Sequence, residues 1–366
     1  MGSFMSPSAS FFLSPIKPIL PRVLGGSYLK LNHAKRAFMN ERTPLSHALI
    51  KLIREAFRVS FDLFKIMVPV VIVVKILQEL DLIKYLAMPL GPLMEMVGLP
   101  GEMGLVWATA ILNNLYSAII VLLSLVKETP ITTAQATVLC TMMLVAHTLP
   151  VELKIAQKSG PRLIFQAVFR LGSAILLGWF LQVVYFFFGS LQQPVNVLIK
   201  PHAESALHNG SFASWATGQA QNLLSIFLII LGLLMLMRLL QKLRIIDTMN
   251  RVLRPLLKLI GIGPEASAIT VIGLTLGISY GGGLIIREAR LGHIDKKDIF
   301  YSLTLMGLSH GLIEDTLLMV MVGGHVSGLL LGRIIFSFVA VSLLVKVRAR
   351  LPKAFCDKFL WGEPRK

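Results

Sequence analysis

Apolar residues along the chain gather into runs centred on 61–78, 103–126, 132–149, 162–188, 222–240, 265–287, 299–322 and 327–346. Most approach the ~20 residues that a helix needs to cross the ~30 Å hydrocarbon core of a bilayer. Two shorter amphipathic stretches, 82–98 and 245–261, sit between the first and second run of each group of four. The pattern predicts an all-α polytopic membrane protein in which one set of elements occurs twice.

The two sets align at a shift of 163 residues. Leu77-Gln78-Glu79-Leu80 matches Leu240-Gln241-Lys242-Leu243, Pro92-Leu93 matches Pro255-Leu256, Gly98 falls on Gly261 and Glu102 on Glu265. Ala146-His147-Thr148-Leu149 then falls on Ser309-His310-Gly311-Leu312, Glu152 on Asp315, and Arg170 on Arg333. Apolar coincidences carry little weight in such a composition. Ionisable residues are costly inside a membrane and therefore rare, so their recurrence in one register marks a tandem duplication.

Loop charges indicate how the copies are oriented. The 79–102 connection holds Glu79, Asp81, Glu95 and Glu102 against Lys84. Its counterpart, 238–265, holds Arg238, Lys242, Arg244, Arg251, Arg254 and Lys258 against Asp247 and Glu265. Lys and Arg collect on the cytoplasmic side, so equivalent loops of opposite bias predict an inverted repeat. Three spanning helices plus one broken or re-entrant element per half satisfy these assignments. The breaks are expected at Asn113-Asn114 with Tyr116, and at Gly277-Ile278-Ser279-Tyr280-Gly281-Gly282-Gly283. Non-helical backbone at membrane depth must be buried in protein or line a cavity.

The chain accordingly divides into a basic cytoplasmic segment with an amphipathic helix (1–60), a first membrane repeat (61–188), and an extracytoplasmic linker (189–221). A second repeat (222–346) and a basic cytoplasmic tail (347–366) complete it. Both termini are expected in the cytoplasm, with the chain in the cytoplasmic, or inner, membrane. The Ser- and Pro-containing stretch before Met39 has no acid and reads as a targeting presequence or an over-long start.

Composition narrows the function. With 55% hydrophobic and 15% charged residues and a mean hydropathy of +0.72, a soluble enzyme, a coiled coil and a disordered protein are excluded. The net charge of +17 reads as positive-inside bias and not as nucleic-acid binding, because no soluble segment is long enough to fold around a basic face. Membrane lipid and a small-molecule or ion substrate are the expected partners, along with a second copy or a membrane partner subunit. Cys140 lies in an apolar run and Cys356 in the basic tail, so no disulfide framework is expected. There is no G-x-x-x-x-G-K-[ST] and no H-E-x-x-H, so neither a nucleotide engine nor a zinc hydrolase is predicted and no cofactor is called for.

The candidate chemistry lies in Gly307-Leu308-Ser309-His310-Gly311-Leu312-Ile313-Glu314-Asp315-Thr316 and its counterpart His147-Thr148-Leu149-Pro150-Val151-Glu152. On a continuous helix His310 and Glu314 would share a face, with Asp315 turned about 100° away. Pro150 should kink or end its helix. A pseudo-two-fold axis in the membrane plane would bring His147 and His310 together, and with the carboxylates they would bind a proton, a cation or an amine. The bland reading is interhelical glue, with Arg170 and Arg333 neutralising Glu152 and Asp315. The residues alone name no metal. Ser279, Tyr280 and Gly281, with Asn113 and Asn114 in the first half, read either as solute contacts at a helix break or as close packing through small residues.

At 277–289 and 307–316 the chain resembles the nucleoside-recognition, or Gate-domain, membrane proteins. That group includes spore maturation proteins A and B and the gate regions of concentrative nucleoside and ferrous-iron transporters. The resemblance covers roughly 61–346 and is strongest in the second half. It implies a helical bundle with a pathway between the repeats. The function expected is therefore a permease for a small polar solute, with nucleoside-like solutes one class the family name implies, coupled to protons or another cation. Two alternatives follow from the same residues and family: a non-transporting subunit of spore-maturation type, and a divalent-metal site on His147, His310 and Glu314.

Overall fold

The computed structural model describes the chain from Met88 to Gly362, apart from Lys127, 199–211, Arg244, 278–285 and His293, together with scattered positions between Ile50 and Tyr85. The first predicted span therefore lies largely outside the described residues, as do Ser279, Tyr280 and Gly281. The protein is an all-α polytopic membrane protein. Four helical stretches, Thr133–Ser159, Leu163–Phe187, Lys296–Met321 and Ser327–Ala349, are long and apolar enough to cross a membrane.

The first half contains α1 (Gly91–Met96), α2 (Met103–Leu112), α3 (Leu115–Leu125), α4 (Thr133–Val145), α5 (Leu149–Ser159) and α6 (Leu163–Phe187). The second contains α7 (Phe212–Lys242), α8 (Ile245–Leu259), α9 (Pro264–Leu276), α10 (Lys296–Ser309) and α11 (Glu314–Met321). A π-helical turn, Ser327–Gly332, then leads into α12 (Arg333–Ala349), and α13 (Lys353–Phe359) packs the tail back on the bundle. Helix α7 begins at Phe212, within what the sequence reads as linker.

The duplication extends to the backbone. Left-handed φ values pair at the 163-residue shift: Gly98 (73°) with Gly261 (83°), Thr148 (49°) with Gly311 (60°), and Gly160 (122°) with Gly323 (97°). Helices α2 and α3 have 10 and 11 residues and pack against each other. At 1.5 Å per residue each is about half the membrane thickness, which suits a re-entrant hairpin. Its second-half counterpart begins with α9, and residues 278–285 lie outside the described residues.

Contacts at the two ends of the bundle show the copies to be antiparallel. At one end the start of α4 meets the linker (Thr133 N to Gln193 O, 2.9 Å), Thr137 Oγ1 accepts from His325 N at 2.9 Å, and Tyr185 at the end of α6 bonds Ser327 at 2.8 Å. At the other, the start of α6 meets the tail (Arg162 N to Leu360 O, 2.8 Å). There Phe165 and Trp361 flank Phe300 near the start of α10, and Arg348 of α12 lies 5.4 Å over the Trp361 ring. Helix α4 thus runs opposite to α10, and α6 opposite to α12, about a pseudo-two-fold axis across the helices. Gln135 bonds the Gly98 carbonyl at 2.9 Å, so the acidic connection lies at the first end. Gly263 donates to Asp298 at 3.2 Å, which puts the basic connection at the other.

Two spans are interrupted, the first near Pro150 as expected and the second where the sequence reading has a continuous helix. Helix α4 stops at Val145, 146–148 is irregular, and α5 starts at Leu149; likewise α10 stops at Ser309 and α11 starts at Glu314. Pro150 ends the first helix as the sequence predicts, because it has no N–H for the Ala146 carbonyl and its ring would clash with that carbonyl. It sits in the first turn of α5, where no N–H is needed from it. The first break turns on Thr148, whose β-branched side chain is held at positive φ, a conformation that costs an L-residue about 1–2 kcal/mol. Thr148→Gly should therefore raise stability by about 1 kcal/mol in thermal unfolding. A fall would show that the Thr148 side chain contributes more than its strain.

Candidate functional site

The breaks place the histidines. His147 follows the end of α4 and His310 caps α10, and each turns its Nδ1 back to the carbonyl four residues earlier: His147 to Met143 at 3.0 Å, His310 to Met306 at 2.8 Å. Met143 and Met306 are themselves 163 residues apart, so the two halves hold their imidazoles in the same way. A carbonyl can only accept, so Nδ1 carries the hydrogen in both rings and each Nε2 is left to face the centre.

There the two Nε2 atoms stand 3.1 Å apart, and Glu152 Oε1 lies 3.0 Å from that of His310 and 3.8 Å from that of His147. All three residues are buried. The other Glu152 oxygen is bound by Arg170, which also donates to the carbonyls of Val145 at 3.0 Å and His147 at 3.4 Å. These carbonyls belong to the broken end of α4, so one guanidinium both neutralises Glu152 and satisfies backbone groups that the break leaves without helical donors. Gly307 of α10 gives Arg170 room, since a Cβ there would stand 3.1 Å from its Cδ. A narrow cleft lined by Glu152, Leu153, Ala156, Gln166, Arg170, Leu303 and Gly307 reaches this centre.

Two neutral imidazoles with Nδ1–H cannot sit with bare Nε2 lone pairs 3.1 Å apart beside a carboxylate without repulsion. The arrangement is satisfied when a positive charge lies between them. One proton does this, bridging the rings or passing to Glu152. A metal ion does it as well: the three ligand atoms lie within 4.8 Å of one another, a set of the kind that imidazole and carboxylate sites offer to divalent cations.

Of the remaining candidates, Glu314 does not join His310. The break separates them, Glu314 opens α11, and among the described residues it makes no ion pair. Asp315 makes no ion pair among the described residues, its carboxylate lying against Gly311, but it is near enough to interact electrostatically with His310, Glu152 and Arg333. Arg333 is fully buried and bonds Thr316 at 3.1 Å. Asn113 and Asn114 serve their own break: Asn114 caps α3 by accepting from Ser117 N at 2.9 Å, and Asn113 donates to the Ser117 hydroxyl at 2.9 Å. The sequence reading missed a buried bond across the repeats, Gln166 to Thr304 at 2.8 Å, beside the cleft. An amide in an otherwise apolar run was the available signal.

Fold and site together define a membrane-embedded helical bundle with a buried ionisable centre between two antiparallel repeats. The chain is similar to the uncharacterized membrane protein YvoD of Bacillus subtilis (strain 168), 26% identical over 278 residues that span 76% of this chain and 88% of that protein. No family model and no solved structure matches it.

Proposed function

We propose that the chain is a secondary transporter in the cytoplasmic membrane, carrying a small polar solute with a proton bound at His147, His310 and Glu152. The facing Nε2 atoms carry the reading, because they need a cation between them and lie where the two repeats meet. Inverted repeats whose broken helices meet at mid-membrane are a recurring transporter plan. The Gate-domain resemblance supports the same class. The cleft beside Glu152 and Arg170 runs on the side of Gln166, near the end that carries the basic connection. Rocking of one repeat against the other would open the centre to the opposite end.

The test is solute-driven proton movement in proteoliposomes containing a pH-sensitive dye, with nucleosides, amines and small carboxylates added outside. The wild-type protein should give a solute-dependent pH change that His310→Ala and Glu152→Gln slow by at least about tenfold, as loss of a positioned proton carrier does. Unchanged rates in both variants would remove the centre from the mechanism. A second reading, a divalent-cation site, is favoured by the His–His–Glu geometry. It predicts about one metal ion per chain on elemental analysis, as a single closed ligand set would hold, and its loss in His147→Ala.

A further inference from the structure

The two halves repeat the same residues without repeating the same ion pair. Arg170 has all three guanidinium nitrogens engaged, on Val145, His147 and Glu152. Arg333 has one, Nη2 on the Thr316 hydroxyl at 3.1 Å. Its Nε and Nη1 find no partner among the described residues, although the side chain is completely buried. Those two nitrogens carry three of the five N–H groups of a guanidinium. Buried polar groups are normally paired, and a buried cation without partners is costly.

The difference is one methylene. Where the first half has Glu152, the second has Asp315, whose carboxylate sits one carbon nearer the backbone. It occupies the space that a Cβ on Gly311 would take, and among the described residues it makes no ion pair with Arg333. Thr316 accepts from Arg333, so its own O–H remains available to donate. What faces the unpaired nitrogens is therefore the Thr316 hydroxyl, with the Asp315 carboxylate near enough to act on Arg333 electrostatically but not to pair with it.

Buried N–H and O–H donors on a cation suit an oxyanion, and the planar guanidinium matches a carboxylate better than a spherical halide. The carboxylate of Asp315, the residue next to Thr316, disfavours a doubly charged anion, because repulsion rises with each added charge. We propose that Arg333 and Thr316 bind the carboxylate end of a small monocarboxylate, the solute that crosses with the proton held by His147, His310 and Glu152. This rests on the transporter reading and gives it a substrate class. A monocarboxylate and a proton crossing together move no net charge, so uptake would be insensitive to membrane potential.

The test is thermal unfolding of the full chain in detergent and sulfate buffer, with sodium lactate, chloride or phosphate added at matched ionic strength. Lactate should raise Tm by about 3 °C at saturation, chloride and phosphate should not, and Asp315→Glu should raise the basal Tm and abolish the lactate increment by closing the pair internally. Thr316→Val, which keeps the shape and removes a donor, should diminish the increment if Asp315→Glu does not fold. No lactate increment, an increment that survives the substitutions, or an equal one from chloride would overturn the assignment. Binding is read here, not proton flux, so failure leaves the His147–His310 centre untouched, and loss of flux in His310→Ala leaves the lactate increment in place.

Discussion

Arg170→Met should lower stability by about 3–5 kcal/mol, the cost of breaking a buried charge pair from one side. Arg170 is 2% exposed and Glu152 5%, so water cannot take over for the missing guanidinium. The loss has two parts. Glu152 would keep only the imidazoles as counter-charges, and the carbonyls of Val145 and His147 would lose the donor that satisfies them at the broken end of α4. Arg170→Met with Glu152→Met should recover the first part and not the second, because replacing both members of a buried pair by packed apolar groups is often neutral. Arg333→Met gives the contrast. Its guanidinium already lacks partners at two nitrogens, so its removal should cost far less, or even stabilise the apo protein. Denaturant unfolding in mixed micelles measures all three. Equal losses at Arg170 and Arg333 would show that the two half-sites are paired alike.

What was legible in the sequence came from cost. A histidine, an acid and an arginine recurring in one register within apolar runs have to be held by one another, and their spacing predicted that His147 and His310 would meet about a two-fold axis. What was not legible came from local geometry. Helix α4 is buried at almost every position, so no polar face marks which way it turns or where it stops. Pro150 marks that the helix ends, but not that the turn is made at Thr148, a residue that rarely takes a left-handed conformation. The four-residue spacing of His310 and Glu314 lost its meaning once Gly311 broke that helix too. Asn113 and Asn114 read either as solute contacts or as packing at a helix break, and their local bonds show them capping the helices at that break instead. Asp315 in place of Glu152 is visible in the alignment of the halves, but its consequence depends on a reach of one carbon that only side-chain positions reveal.

Single cysteines at position 95 and position 254 should react with a membrane-impermeant maleimide from opposite faces of the membrane. Both Glu95 and Arg254 are exposed, and the connections that carry them lie at opposite ends of the bundle through Gln135–Gly98 and Asp298–Gly263. The basic connection and the basic tail share one end, and the positive-inside tendency assigns that end to the cytoplasm. In intact cells the Glu95→Cys protein should therefore label, and the Arg254→Cys protein should label only after permeabilisation. The native thiols do not interfere, since Cys140 and Cys356 are free and buried. The outcome is all-or-none at each site. Labelling of both positions from one face would mean that the two copies do not lie inverted across the bilayer. The facing imidazoles would then no longer sit at a mid-membrane point reached from both sides, and alternating access through His147 and His310 would lose its geometric basis.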